Sequence, residues 1–181
     1  MKHFIDPPCI TADDLKIKRK ELGLTQKEFA QLLGVSKPTV ERWEAGDKEL
    51  SGPLALLLPM LTKEYLDSVT MPEQKSPLRL LYYYKNKLCT LIDVYENERR
   101  IEIKNYVKNE QFCAFGVNIR PTFDDYEEFL KSRCFPEERD GMKLILKDLN
   151  LPFYEPLMII EKTEGRMAED DFRVKVVRKN G

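Results

Sequence analysis

The chain has 181 residues, 30 basic and 31 acidic, and its formal net charge of −1 excludes a strongly basic nucleic-acid coat protein. Hydrophobic residues make up 42% of the chain and charged residues 34%, a composition typical of a folded protein rather than a disordered one. The longest apolar stretch, Leu54 to Leu61, contains Pro59 and is far shorter than the roughly 18 residues that cross a bilayer. The first residues form no apolar run of the signal-peptide type, so we expect a cytoplasmic protein without a membrane partner.

Histidine and cysteine are too sparse to build the usual metal or catalytic sites. The single histidine is His3, and no two of the four cysteines are close enough in sequence to form a C-x-x-C motif. The same scarcity excludes most enzymes that use histidine as a base or as a metal ligand. We therefore expect reduced thiols, no metal, no cofactor and no enzymatic activity.

The first 66 residues carry the pattern of a bundle of short helices. Thr11, followed by two acidic residues, predicts the start of a first helix, and Thr25 with Glu28 has the capping-box spacing of a second. Ser36 is the predicted cap of a third helix. A fourth, apolar helix is predicted for residues 53–65.

Two of these helices have the residue sizes that a tight turn between crossing helices requires. Ala30, in the second helix, is small where the third helix must approach closely, and Gly34 occupies the turn, where a positive φ is easiest for glycine. Apolar residues at fixed offsets complete the predicted interlock: Phe29, Leu33, Val35, Val40 and Trp43. This spacing predicts a helix-turn-helix.

The stretch Gly23-Leu-Thr-Gln-Lys-Glu-Phe-Ala30, with the segment from Leu33 to Gly46, resembles the Xre/Cro-repressor family of DNA-binding domains. The resemblance covers about residues 11–66. It implies a lambda-repressor-like bundle of four or five helices that binds double-stranded DNA, commonly as a homodimer.

In that family the third helix lies in the major groove, and the start of the second helix meets a phosphate. Arg42 is expected to reach a guanine or a phosphate, and Lys37 a phosphate or a guanine near the helix start. The predicted DNA-binding residues are Gln26, Lys27, Ser36, Lys37, Thr39 and Arg42.

Other charged residues leave alternatives open. The basic cluster from Lys16 to Lys20, Arg19 included, either reinforces contact with the DNA backbone or is a solvated helix face. Glu41 repels phosphates if it points toward them, and Glu44 pairs with Arg42 or with a neighbour. Basic residues outnumber acidic ones by only one between Thr11 and Gly46, so a dimer on two half-sites is the expected remedy for weak affinity. A helix-turn-helix kept only for protein contacts is a further alternative.

Residues 67–79 look like a linker, and residues 80–181 like a small α+β domain, so the predicted fold class is α+β. Alternating residues predict a β-hairpin from strands 87–95 and 99–107. Tyr82 to Tyr84 is predicted to begin a core strand rather than a stacking surface for bases. The remaining predicted elements are a strand at 111–115, helices at 123–133, 137–150 and 156–164, and a strand at 172–177.

No catalytic constellation is visible in this domain. The acidic residues after Thr122 read as the first turn of a helix, and Glu169 to Asp171 as a turn before the last strand rather than a cation site. The segment from Arg133 to Phe172 resembles bacterial proteins encoded beside HipA-like toxin kinases. That resemblance implies an antitoxin whose second domain binds a toxin.

These patterns lead to three hypotheses of function. The first is a sequence-specific transcriptional regulator, a repressor or autoregulator of bacterial or phage type. The second is the antitoxin of a toxin-antitoxin pair, in which DNA binding is secondary. The third is an enzyme with a DNA-targeting domain, for which the sequence offers no candidate catalytic residues.

Overall fold

The computed structural model describes residues 9–179, so His3 and the residues around it lie outside the described part. The chain divides into two compact units, and the division falls between Met71 and Pro72. The N-terminal unit is helical, and the C-terminal unit combines a β-sheet with three helices. The predicted α+β fold class is confirmed.

In the described part of the N-terminal unit, residues 9–71, the chain forms five α-helices and one 3-10 turn. The bounds are α1 Ala12–Glu21, α2 Gln26–Leu33, α3 Lys37–Ala45, α4 Pro53–Leu57, a 3-10 turn Leu58–Met60 and α5 Lys63–Val69. A backbone bridge between Ile10 and Leu50 ties the residues before α1 to the loop after α3. The unit is therefore closed by contacts distant in sequence as well as by its helices.

Local capping explains where the first two helices begin. Thr11 and Asp14 form a capping box at α1, and Thr25 and Glu28 form another at α2, so two orphan N–H groups are satisfied at each start. Gly34 ends α2 with a φ of 67°, a left-handed conformation that favours glycine. The turn between α2 and α3 is therefore encoded locally.

The predicted fourth helix is wrong as a single element. Pro59 has no N–H to donate to a helical hydrogen bond, and the chain leaves the α conformation through the 3-10 turn. Thr62 then caps a new helix, α5, by accepting a hydrogen bond from the Tyr65 N–H. The apolar pattern alone did not reveal this break.

The residues that the helix-turn-helix spacing singled out lie in or against the core of the N-terminal unit, together with buried residues of α1, α4 and the 3-10 turn. Phe29 and Val40 are fully buried, Ala30 is almost so, and Leu33, Val35 and Trp43 pack against this core while partly exposed. Small Ala30 lets α3 approach α2, as the spacing predicts.

The C-terminal unit is built on a four-stranded antiparallel sheet in the order β3-β2-β1-β4. The strands are β1 Leu78–Tyr84, β2 Lys87–Tyr95, β3 Arg100–Asn105 and β4 Phe172–Arg178. The β2–β3 hairpin and the last strand are confirmed. Tyr82–Tyr84 lie in a core strand as predicted, but they end β1 instead of beginning it, because the buried residues Leu78, Leu80 and Leu81 belong to the same strand. The predicted strand at 111–115 is wrong, because the Asn109 side chain accepts the Gln111 N–H and starts a 3-10 turn instead.

Three helices complete the unit: α6 Phe123–Ser132, α7 Met142–Asp148 and α8 Pro156–Thr163. Side chains of α6 and α8 pack with one face of the sheet into a single core. Helix α7 begins five residues later than predicted, because residues 137–141 form turns and Gly141 adopts a φ of 78°. The other two predicted helices are confirmed to within one residue.

The other face of the sheet holds a buried ion pair. Arg79 donates to the carboxylate of Asp93 through Nε (2.8 Å) and a terminal nitrogen (2.7 Å), and the Ser76 hydroxyl also binds Asp93. The guanidinium donates in addition to the carbonyls of Pro72 and Glu73. Part of the segment predicted as a linker is therefore fastened to the sheet. Helix α5 takes the first three residues of 67–79, and β1 takes the last two.

All four cysteines lie in the described residues and are free thiols. Burial raises the pKa of Cys134 to about 12, which keeps that thiol protonated at neutral pH.

Tyr126 carries a buried hydroxyl that finds no hydrogen-bond partner among residues 9–179. Replacing it with phenylalanine removes only this unsatisfied group. We expect Tyr126→Phe to leave the free energy of unfolding unchanged or to raise it by up to about 1 kcal/mol.

Tyr154→Phe is the matched control, because the Tyr154 hydroxyl donates to the Phe135 carbonyl at 2.9 Å. That variant is expected to lose about 1 kcal/mol in urea unfolding. A Tyr126→Phe variant that loses as much as Tyr154→Phe contradicts the assignment of an unsatisfied hydroxyl.

Candidate nucleic-acid interface

A buried carboxylate, that of Glu44, joins the first three helices. Glu44 lies on α3 with 5% of its surface exposed. Arg19 on α1 donates to both of its oxygens, at 2.7 and 3.1 Å. Gln26 at the start of α2 donates through Nε2 at 2.8 Å. One side chain therefore sets the position of α3 relative to both helices that precede it.

The same network makes the charges of Arg19 and Glu44 unavailable to a ligand at the surface. Hydrogen bonds from Arg19 hold the pKa of Glu44 below its usual value, against the opposing effect of burial. Arg19 donates further to the Leu24 carbonyl at 2.9 Å. Glu44 thus pairs with a neighbour and not with Arg42, and the suggestion that Arg19 contacts the DNA backbone is corrected.

Arg42 lies on the outer side of α3. It follows the fully buried Val40 by two residues, about 200° around the helix axis at roughly 100° per residue. Its side chain is exposed and makes no hydrogen bond or ion pair within the described part of the chain. The guanidinium is therefore free to donate to a ligand.

Lys37 and Glu41 form a second pair on α3, one helical turn apart. Lys37 Nζ lies 2.7 Å from Glu41 Oε1, and their side chains are 52% and 43% exposed. Lys37, which was predicted to contact a phosphate or a guanine, is therefore paired with an acidic residue of its own helix. Glu41 was expected to repel phosphates if it pointed toward them, and its pairing with Lys37 was not predicted. The i, i+4 spacing was the signal that could have revealed this pair.

Ser36 and Thr39 bind each other at the start of α3. Their hydroxyl oxygens are 2.8 Å apart. Ser36 is the N-cap residue of α3, as predicted, but its side chain makes no capping hydrogen bond. Ser36 is exposed and Thr39 is half-buried. Both hydroxyls can still exchange this short-range bond for a bond to a ligand.

Gln26 and Lys27 lie at the start of α2. Glu44 holds one hydrogen of the Gln26 amide, and the amide nitrogen carries a second hydrogen that can be donated elsewhere. Lys27 is exposed. Bonds to Thr25 hold the pKa of Glu28 below its usual value, so a negative charge shares this helix start and weakens its attraction for phosphate.

The basic cluster on α1 is largely paired. Lys16 lies 3.5 Å from Asp13, and Lys18 lies 2.9 Å from Glu21. Together with Arg19, these residues form a charged helix face whose positive groups have acidic partners within the unit.

Residues 9–179 contain no group of three or more histidine, cysteine, aspartate or glutamate side chains that could hold a metal ion. None of the helices in the same range is long and apolar enough to cross a membrane.

The buried network makes a prediction about acid stability. Because the pKa of Glu44 in the folded protein lies below its usual value of 4.5, its stabilising contribution is complete above pH 4.5 and is lost as the pH falls through the lower, folded value. We expect Glu44→Gln to cost about 3 kcal/mol at pH 7. In thermal melts at decreasing pH, the difference in melting temperature between wild type and this variant should become smaller below pH 4.5.

Glu49→Gln, at an exposed position in the loop after α3, is the control for the loss of one carboxylate. The assignment of the network is contradicted if the difference in melting temperature between wild type and Glu44→Gln stays constant or increases toward acid pH.

The comparisons with known proteins agree with this geometry. Residues 15–63 match the family model described as helix-turn-helix, and the match lies wholly within the N-terminal unit. No curated protein and no solved structure matches the chain. The matched segment contains the turn at Gly34, the buried seam at Ala30 and Val40 and the outward-facing Arg42. Residues 15–63 are therefore a DNA-binding helix-turn-helix domain of the Xre, lambda-repressor-like family.

Proposed function

We propose that the protein is a sequence-specific transcriptional regulator, a repressor or autoregulator of bacterial or phage type that acts in the cytoplasm. The observation that carries this proposal is the exposed, unpaired guanidinium of Arg42 on the outer face of α3, opposite the buried Val40. The proposal assigns no enzymatic activity to the chain.

In this proposal α3 lies in the major groove of operator DNA. Arg42 donates to O6 and N7 of a guanine, the most frequent specific contact of arginine. Ser36 and Thr39 offer short hydroxyl groups near the start of the helix. Gln26 and Lys27 bind phosphates, which fixes the register of the domain on the duplex.

A homodimer is the expected functional form. With Arg19 and Lys37 already paired, the helix-turn-helix keeps few free cations, and one subunit gains little from counterion release. Two subunits on half-sites about 34–36 Å apart, or a multiple of that distance, double every contact. Exposed apolar residues after α3 offer a surface for the second copy: Leu56, Leu57 and Met60.

The antitoxin of a toxin-antitoxin pair is the second candidate. It is favoured by Val117 and Ile119, which are each 73% exposed in the loop before α6. Large apolar side chains left in water often mark a protein-binding surface. The similarity to proteins encoded beside HipA-like kinases remains a prediction, and the toxin in this case would be such a kinase.

Arg42→Ala tests the regulator directly. The side chain is exposed and unpaired, so we expect unchanged thermal stability and at least about a fivefold loss of specific DNA affinity, in keeping with about 1–3 kcal/mol for a bidentate base contact. Mobility shifts with a selected duplex measure the change. Arg120→Ala removes the same type of exposed side chain from the C-terminal unit and is expected to leave base preference intact. An unaltered affinity of Arg42→Ala removes Arg42 from the interface.

Co-expression with the product of the neighbouring gene separates the two candidates. An antitoxin is expected to co-purify with that product in a fixed ratio, and the combined substitution of Val117 and Ile119 by serine should release it. A regulator that acts alone yields the same DNA affinity and the same oligomer with or without the neighbouring product.

A further inference from the structure

The outer flank of α3 presents a hydrogen-bond donor beside an acceptor. Lys37 Nζ and Glu41 Oε1 are 2.7 Å apart, and both side chains are about half exposed. Glu41 makes no other side-chain hydrogen bond within residues 9–179 and directly precedes Arg42. The pair therefore occupies the helix that the proposed function inserts into the major groove.

The major-groove edge of a G·C base pair has the complementary pattern. Guanine offers the acceptors N7 and O6, and cytosine offers the N4 amino group as a donor next to O6. A lysine donates to the guanine acceptors, and a glutamate accepts from cytosine N4. A donor and an acceptor that are already in contact match this adjacent acceptor and donor without separating first.

We propose that Lys37 and Glu41 together read one G·C base pair in each half-site, with Lys37 on guanine and Glu41 on cytosine N4. This proposal rests on the DNA-binding function proposed above. It assigns Glu41 a role in specificity, in addition to the base contact of Arg42.

The energetics of the pair favour this role over a purely structural one. An exposed i, i+4 ion pair stabilises a helix only slightly. A carboxylate on a helix that approaches phosphates lowers affinity for every sequence equally. When the Glu41 carboxylate accepts a hydrogen bond from cytosine N4, the lost affinity is recovered at a G·C base pair only. The carboxylate therefore increases the difference in affinity between sequences with and without that base pair.

Glu41→Gln tests the assignment, with Glu21→Gln as the matched control. Glu21 is exposed and pairs with Lys18 of the same helix at 2.9 Å with i, i+3 spacing, so both variants remove one negative charge and one ion pair from the same unit. The probes are the duplex that full-length wild type selects from a random pool, its single-base-pair variants, and a copy with N4-methylcytosine at the assigned position.

Wild type is expected to bind the N4-methylcytosine duplex at least about fivefold more weakly than the unmodified duplex, because the methyl group replaces the hydrogen that Glu41 accepts. Glu41→Gln should lose most of its discrimination at that one position and keep it at the others. Lys37→Met should lose guanine preference at the same position, and the double variant should lose little more. Glu21→Gln should keep the wild-type preferences throughout.

Two outcomes overturn the proposal while leaving DNA binding intact. One is that Glu41→Gln strengthens binding to all duplexes by the same factor without changing any base preference, as a simple ion pair requires. The other is that the position sensitive to Glu41 prefers A·T. If wild type selects no sequence at all, this assignment and the function on which it rests both fail. A cooperative thermal melt of the same wild-type sample shows that the protein was folded during the selection.

Discussion

The buried carboxylate of Glu44 is the constraint on which the DNA-facing surface depends. It receives hydrogen bonds from Arg19 on α1 and Gln26 on α2, so three helices share one charged centre. Breaking such a pair leaves an unpaired charge in the protein interior, which costs several kcal/mol. The seam at Ala30 and Val40 brings the helices together, and the Glu44 network fixes the direction in which α3 faces. The exposed position of Arg42 follows from both.

The helix-turn-helix could be predicted from the sequence because its determinants are local. The capping box at Thr25 and Glu28, the turn at Gly34 and the small Ala30 act on residues close to them in sequence, and each was predicted correctly. Pro59 shows the limit of this reasoning, since the apolar run around it looked continuous although the proline broke the helix. The family match over residues 15–63 supports the same conclusion from independent information.

The side-chain partners within the site could not be predicted with the same success. Arg19 and Glu44 stand 25 residues apart, and nothing in their local sequence distinguishes them from neighbouring charged residues. Lys37 was predicted only as a DNA contact, whereas its pairing with Glu41 depends on both side chains adopting compatible rotamers. In the C-terminal unit, likewise, the hairpin followed from alternation, but the buried Arg79–Asp93 pair required knowledge of the strand register.

Selection of duplexes from a random pool by the purified full-length protein tests the central claim most directly. If α3 of each subunit of a homodimer contacts bases in the major groove, the selected duplexes should share a single enriched inverted repeat with G·C pairs within each half. Recovery of a pool with no enriched sequence, from protein that melts as a folded molecule, would contradict the claim that this helix face reads DNA.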